Sequence, residues 1–193
     1  HNDSVGRAAG VQKEIQFLLE MEELACSLQA MRESGELPLR VTHNDTKLNN
    51  VMLDQASRKP LCVIDLDTVM SSTSLNDFGD AIRSYANTGA EDDGNLDNVE
   101  LDINMFHAYA DGYLSQRYDT LTPSELEWLA FSARYITFEQ VLRFLMDYID
   151  GDKYYKTAYA EHNLVRTRAQ YKLLTSMERQ YEHMCRIIRE YRK

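Results

Sequence analysis

The segment HNDTKLNN, His43 to Asn50, gathers several chemically useful side chains into one short polar stretch. It offers a carboxylate that can serve as a base (Asp45), a cation two residues on (Lys47) and a neutral amide oxygen five residues on (Asn50). A second segment, VIDLD, ends an apolar run with two carboxylates, Asp65 and Asp67. Between them, NVMLD at 50–54 and LCVID at 61–65 read as short strands, and DQASRKP reads as the turn that joins them. In an antiparallel hairpin the start of the first strand faces the end of the second, so Asn50 and Asp65 are expected to be neighbours. An amide oxygen beside a carboxylate suits Mg²⁺, which takes few protein ligands and fills its shell with water and phosphate oxygens. Asp45 would orient and deprotonate a hydroxyl, and Lys47 would neutralise charge on a transferring phosphoryl group. Together these are the parts that phosphoryl transfer needs.

Such residues must be held by regular elements. Apolar residues recur at Val11, Ile15, Leu18, Ala25, Leu28 and Met31, which predicts one amphipathic helix from Val11 to Ser34, stopped by Gly35. LPLRVT at 37–42 predicts a further short strand. After Asp67 the texture is helical: DFGDAIRSYAN reads as helix, GAEDDGNLDN as an acidic exposed loop, and residues 101–118 show mixed helical periodicity. Thr122, Pro123 and Glu125 form a capping box that opens a helix running to about Ile149. Leu174, Met177, Tyr181, Met184 and Ile188 mark a last helix from about Glu161 to Arg189. The expected fold class is α+β and mostly helical, a single domain over 1–193 in which a small β-hairpin carries the catalytic and metal loops.

Composition narrows the partners. The 193 residues suffice for one medium domain, and 44% apolar with 27% charged residues is ordinary for a globular chain. With 21 basic against 31 acidic residues the net charge is −10, which argues against nucleic acid or an anionic membrane as the main partner. A phosphate compound would then need a cation to accompany it. Cys26, Cys62 and Cys185 are far apart and lack metal-ligand spacing, so a reducing compartment and a cytoplasmic location are expected. No apolar run has the length of a membrane span, and the first residues lack the features of a signal peptide. The chain opens on His1 and enters a helical pattern by Val11, which reads as a piece cut from something longer.

HNDTKLNN matches the protein-kinase catalytic-loop pattern of His, Asp, Lys and a terminal Asn at the same spacing, and VIDLD lies one hairpin downstream, where kinases place a metal-binding aspartate. The variant resembles the aminoglycoside phosphotransferase and choline kinase branch of the protein-kinase-like fold. GYLSQRYDTLTPSELEWL, RFLMDYIDGDKYYK and HNLVRTRAQ more specifically resemble the N-acetylhexosamine 1-kinases, sometimes labelled mucin desulfatases. The similarity runs from about residue 10 to residue 185. Carried over by position, the resemblance implies ATP as cosubstrate, Asp45 as catalytic base assisted by Lys47, and Asn50 and Asp65 as Mg²⁺ ligands that also hold the nucleotide. It implies Asp67 as a further ligand or a carboxylate behind the first, and His43 as structural support for the loop. It places Arg143 and Tyr154 against a hexosamine sugar or another hydroxyl compound, with Asp45. An upstream nucleotide lobe also belongs to this family, and no part of residues 1–42 supplies its strands. By that reading the chain is the C-terminal lobe, expected to transfer phosphate poorly or not at all by itself, and its oligomeric state stays open.

Plainer readings compete at several positions. Asp77, Phe78 and Gly79 spell the tripeptide of a kinase metal site, but they open a helix; Asp77 reads as its cap, and Asp80 with Arg83 as an exposed ion pair. Arg143 with Asp147 reads as an i, i+4 pair, and Tyr154 as a packing residue. His107, His162 and His183 match no zinc spacing and read as solvated or hydrogen-bonded. The basic stretch from Arg166 to Lys193 reads as the solvated face of the last helix. LCVIDLDTV also admits a haloacid-dehalogenase-like phosphohydrolase with Asp65 as nucleophile and Asp67 as acid, and a third reading is a non-catalytic lobe that binds sugar or protein.

Overall fold

Thr122 opens one of the two long helices of the chain. Its hydroxyl accepts from the Glu125 backbone N–H at 3.2 Å, and the Glu125 carboxylate accepts from the Thr122 N–H at 2.8 Å, so the capping box forms as the sequence predicts. With Pro123 in its first turn, helix α5 (Pro123–Asp150) runs to Gly151, whose φ of +96° is the left-handed conformation that glycine adopts without strain. Helix α6 (His162–Glu190) packs back along it. The computed structural model describes residues 3–191, apart from the side chains of Leu24 and Ala25; His1, Asn2, Arg192, Lys193 and the Ala25 position of the predicted stripe lie outside the described residues.

Helix α3 (Ser74–Tyr85) lies against α5 at the closest range the backbone allows. A Cβ at Gly79 would stand 2.4 Å from the Ser132 carbonyl oxygen, so only glycine fits there. The main core joins Leu75, Phe78 and Ile82 of α3 to Phe106 and Leu114 of helix α4 (Ile103–Arg117), with Leu129 of α5 and Leu173 and Met177 of α6. Each of these large side chains is fully buried or nearly so, and burial contributes about 1.5–3 kcal/mol apiece. A smaller cluster joins Val11 and Leu18 to Val141, Leu145 and Leu174.

The predicted helix from Val11 to Ser34 is two helices, α1 (Gln12–Glu20) and α2 (Glu22–Glu33), after a 3-10 turn at Ala8–Val11. The break is at Met21, with φ −100° and ψ 16°. Its cause lies in the packing: Val11 and Leu18 serve the smaller cluster while Leu28 and Met31 serve the main core, and the chain turns between them.

Among the described residues, four short strands make two antiparallel pairs. β2 (Val51–Leu53) and β3 (Pro60–Val63) form the predicted hairpin, with Val51 opposite Val63. β1 (Arg40–Thr42) pairs with β4 (Met70–Ser72), a strand that the sequence reading assigned to no element. The described strands include no parallel pair, so the further parallel strands of a haloacid-dehalogenase-like phosphohydrolase are not provided. The three cysteines are free, and no described helix is long and apolar enough to cross a membrane.

Arg40 of β1 ties the strands to the helical body. Its guanidinium donates to both Glu125 carboxylate oxygens, at 2.8 and 2.7 Å, and Ser74 donates a third bond at 2.6 Å. Burial opposes the Glu125 charge, but these hydrogen bonds outweigh it and hold the group at about 2.

Candidate active site

The loop between β1 and β2 is fixed mainly from α3. The Asp77 carboxylate accepts from the backbone N–H groups of His43 at 3.0 Å and Asn44 at 2.7 Å, and the Asp77 carbonyl accepts from the Thr46 hydroxyl at 2.7 Å. Asp77 therefore does not cap its own helix; Thr73 does, accepting from the Leu75 N–H. Asn44 takes a φ of +61°, a conformation that asparagine tolerates better than most residues. From the other side, Thr68 donates to the His43 carbonyl at 2.7 Å.

His43 bridges this loop to the second aspartate segment. Its Nε2 lies 2.9 Å from the Ile64 carbonyl oxygen, and its Nδ1 accepts from the Asp45 N–H at 3.3 Å. Those partners assign the neutral Nε2–H tautomer. Asp45 Oδ2 accepts from Lys47 Nζ at 2.7 Å and from Asn50 Nδ2 at 2.8 Å. Burial works against the Lys47 ammonium, but the Asp45 hydrogen bond and the charges of Asp45, Asp65 and Asp80 win, raising its pKa and keeping it charged.

Asn50 is buried, and its amide nitrogen is spent on the Asp45 carbonyl and carboxylate. Its amide oxygen is the atom left for a cation. The Ile64 N–H donates to the Asn50 carbonyl at 2.9 Å, so the hairpin sets Asn50 beside the Asp65 segment as its register requires. Asp65 is exposed with a φ of +64°, and the exposed Asp67 follows in a 3-10 turn at Leu66–Thr68. Among the described residues no three His, Cys, Asp or Glu side chains converge as a metal cluster. The donor set fits a hard cation that takes an amide oxygen and one or two carboxylates, and does not fit a closed zinc-type site.

A cleft of about 350 Å³ brings Asp45, Lys47 and Thr68 together with Arg143, Tyr154 and Arg166. The far wall is built by Asp147. Its carboxylate accepts from the backbone N–H groups of Lys153, Tyr154 and Tyr155 at 2.8–2.9 Å, and from Asn163 Nδ2 at 2.8 Å. Asp147 is thereby unavailable as the predicted partner of Arg143, whose ion pair is with Glu139 at 4.0 Å. Burial pushes Glu139 up, weakening it as a counter-charge. The Arg143 guanidinium lies 5.7 and 5.6 Å from the ring centres of Tyr154 and Tyr155. Tyr154 is 75% exposed, and its ring meets the Tyr155 ring edge-on at 4.8 Å between centres.

Asp80 and Arg83 correct another expectation. The pair is buried, with Arg83 only 5% exposed. Arg83 donates to Asp80 Oδ1 at 3.0 and 2.9 Å, to Glu91 at 2.6 Å and to Gln170 at 3.4 Å. Burial disfavours its charge, yet Asp80 and Glu91 more than offset this and its pKa is raised. Arg83 lines the cleft with Glu91. Sequence spacing shows the pair to Asp80 but no sign of its depth, which comes from α6 and the loop holding Glu91. Of the remaining histidines, His162 is buried against Asp92 at 2.8 Å, while His107 and His183 are exposed.

A mostly helical body that presents the Asp45 loop and an antiparallel hairpin ending in aspartates has the form of the helical lobe of a protein-kinase-like fold. The model of the phosphotransferase enzyme family matches residues 4–121, more than half of the chain, and the chain belongs to that family. His43, Asp45, Lys47, Asn50, Asp65 and Asp67 fall inside the matched segment, whereas Arg143 and Tyr154 fall beyond it.

Proposed function

We propose that this chain is the catalytic-loop and acceptor-binding lobe of an ATP- and Mg²⁺-dependent small-molecule kinase acting on the anomeric hydroxyl of N-acetylglucosamine or N-acetylgalactosamine. One observation carries the reading: Asp45, held by Lys47 and Asn50, opens onto the same cleft as Arg143 and Tyr154. Asp45 takes the proton of the acceptor hydroxyl as its oxygen attacks the γ-phosphorus, and the bond from that phosphorus to the bridging oxygen of ADP breaks. Its base is the carboxylate, oriented by two donors on Oδ2. Lys47 offsets negative charge beside the transferring group. The Asn50 amide oxygen and the Asp65 carboxylate would hold the metal, with Asp67 as a further oxygen donor. Bound Mg²⁺ would supply charge neutralisation for the polyphosphate in an acidic protein.

The exposed apolar side chains of the strands support a nucleotide lobe packing over them. Met52, Leu53, Leu61 and Val63 of the hairpin and Met70 of β4 are exposed, and Val41 of β1 is 85% exposed. Without such a lobe, transfer by this lobe alone is expected to be poor. A cytoplasmic location, where ATP and free thiols coexist, agrees with the reading.

Phosphorus NMR of the intact protein with ATP, Mg²⁺ and a hexosamine panel tests it. A sugar 1-phosphate signal that falls by about 10²–10⁴-fold in Asp45→Asn is the expected result. Undiminished turnover in that variant would remove Asp45 from the chemistry.

A further inference from the structure

Among the described residues, three buried side-chain polar atoms have no hydrogen-bond partner: Asp80 Oδ2, the Tyr155 hydroxyl and Arg166 Nε. Two of them belong to residues of one cleft, and the third to the ion-pair partner of another cleft residue. Tyr155 and Arg166 line the cleft that opens at Asp45, and Asp80 holds Arg83, which lines it as well. Folded proteins pair nearly all such atoms, and leaving one unpaired costs stability, so the two orphans on cleft residues single out Tyr155 and Arg166 within the cleft wall.

The charges and ring faces say what kind of ligand. Lys47, Arg83, Arg143 and Arg166 line the cleft against the carboxylates of Asp45 and Glu91, in a chain whose net charge is −10. Arg166 directs its hydrogen bonds to neutral oxygens, the Lys156 carbonyl at 3.3 Å and Asn163 Oδ1 at 3.1 Å, so its charge is not spent on a hydrogen-bonded carboxylate. The aromatic rings at the cleft wall already face a cation: Arg143 lies over Tyr154 and Tyr155, and Arg166 over Phe144. Rings engaged in this way offer no cage to an ammonium group. An acceptor bearing an amine there meets repulsion, and one bearing an oxygen meets donors.

We propose that Tyr155 and Arg166 are specificity-determining residues of the acceptor cleft, reading an uncharged or anionic oxygen on the acceptor away from the hydroxyl that is phosphorylated. The assignment rests on the kinase reading above and adds to it two residues and a charge rule: cationic amino alcohols and polyamines are poor acceptors. Both residues lie beyond the segment matched by the family model. Their backbone setting is firm, because Asp147 holds the Tyr155 N–H at 2.9 Å and Asn163, one helical turn before Arg166, at 2.8 Å.

Steady-state kinetics of the intact protein tests this with three acceptors, N-acetylglucosamine, glucosamine and choline, and three variants, Tyr155→Phe, Arg166→Met and Arg166→Lys. The unaltered protein should prefer N-acetylglucosamine to both cations. Tyr155→Phe should raise the acceptor KM about five- to ten-fold and Arg166→Met about ten-fold or more, with kcat and the KM for ATP within about two-fold. Arg166→Lys keeps the charge without the planar fork and should not restore affinity. An unchanged acceptor KM in both Tyr155→Phe and Arg166→Met overturns the residue assignment and leaves the kinase reading intact. Choline or glucosamine used better than N-acetylglucosamine overturns the charge rule. If hexosamines fail but another neutral polyol is phosphorylated, the same KM rise in the variants removes the hexosamine assignment and supports the two residues.

Discussion

Replacing Asp77 by asparagine separates the anchoring of the catalytic loop from its chemistry. The carboxylate accepts from two adjacent backbone N–H groups, at 3.0 Å from His43 and 2.7 Å from Asn44, and in these bonds touches none of the Asp45, Asn50 and Asp65 side chains. Asparagine keeps one acceptor oxygen and turns an amide N–H toward the other donor. Losing one charge-assisted bond and opposing two donors costs about 2–4 kcal/mol. In a domain of this size that lowers the melting temperature by about 5–10 °C. The loop relaxes first, because its other anchors are single hydrogen bonds: the Thr46 and Thr68 hydroxyls, His43 on the Ile64 carbonyl, Asn44 on the Thr68 carbonyl and the Leu48 N–H on the Ser84 hydroxyl. A base displaced by about 1 Å loses on the order of a hundredfold in kcat. Calorimetric melts and turnover of the intact protein, measured on Asp77→Asn and on Asp45→Asn, read the two effects apart. Asp45→Asn should lose turnover with little change in melting, while Asp77→Asn should lose both. A kcat within about two-fold of the unaltered protein, with an unchanged melt, would refute the anchoring argument.

Three further outcomes are expected. Gly79→Ala forces a methyl toward the Ser132 carbonyl, and urea unfolding should show a loss of about 1–3 kcal/mol or more; an unchanged midpoint would show that α3 and α5 separate freely. Glu125 is held at about 2 against an ordinary 4.5, so its contribution is complete above the unfolded value and is lost as pH falls toward 2. That contribution is about 3 kcal/mol, so Glu125→Gln should be less stable at neutral pH with a flatter acid limb, and equal acid slopes would contradict it. Asp65→Ala should remove the Mg²⁺ dependence of nucleotide binding, checked by titrations with and without chelator; a dependence of normal size would place the metal elsewhere.

What could be read from the chain follows the range of the forces involved. The capping box at Thr122, the hairpin turn at 54–60 and the stripes of α5 and α6 are local, and each appears where its residues predict, whereas the stripe from Val11 to Ser34 breaks at Met21. The Asn50–Asp65 juxtaposition was legible because hairpin register transmits it across the turn. Long-range partners were not legible. Asp77 looks like a cap in one dimension and grips residues 33 and 34 positions earlier in three. Asp80 and Arg83 look like a surface pair until Gln170, 87 residues on, closes over them. β4 is three residues long, Met-Ser-Ser, with no alternation to announce it, and exists because β1 offers it a partner. The match to the phosphotransferase enzyme family bears out the class of protein read from the catalytic-loop and aspartate motifs.

The attachment of the two halves of the site has a kinetic consequence. The Asp45 loop is tied through Asp77 to α3, which is part of the main core, whereas Asp65 and Asp67 follow a two-stranded hairpin whose side chains are largely exposed. A lone two-stranded pair is marginal in water and opens far more often than a packed helix. Amide hydrogen exchange should therefore be biphasic across the site: slow at the α3 amides around Asp77, and faster by orders of magnitude through Val51–Val63. Whatever covers or bridges that hairpin would slow exchange on one side only, so the Asp65–Asp67 segment would report occupancy while α3 reports global unfolding.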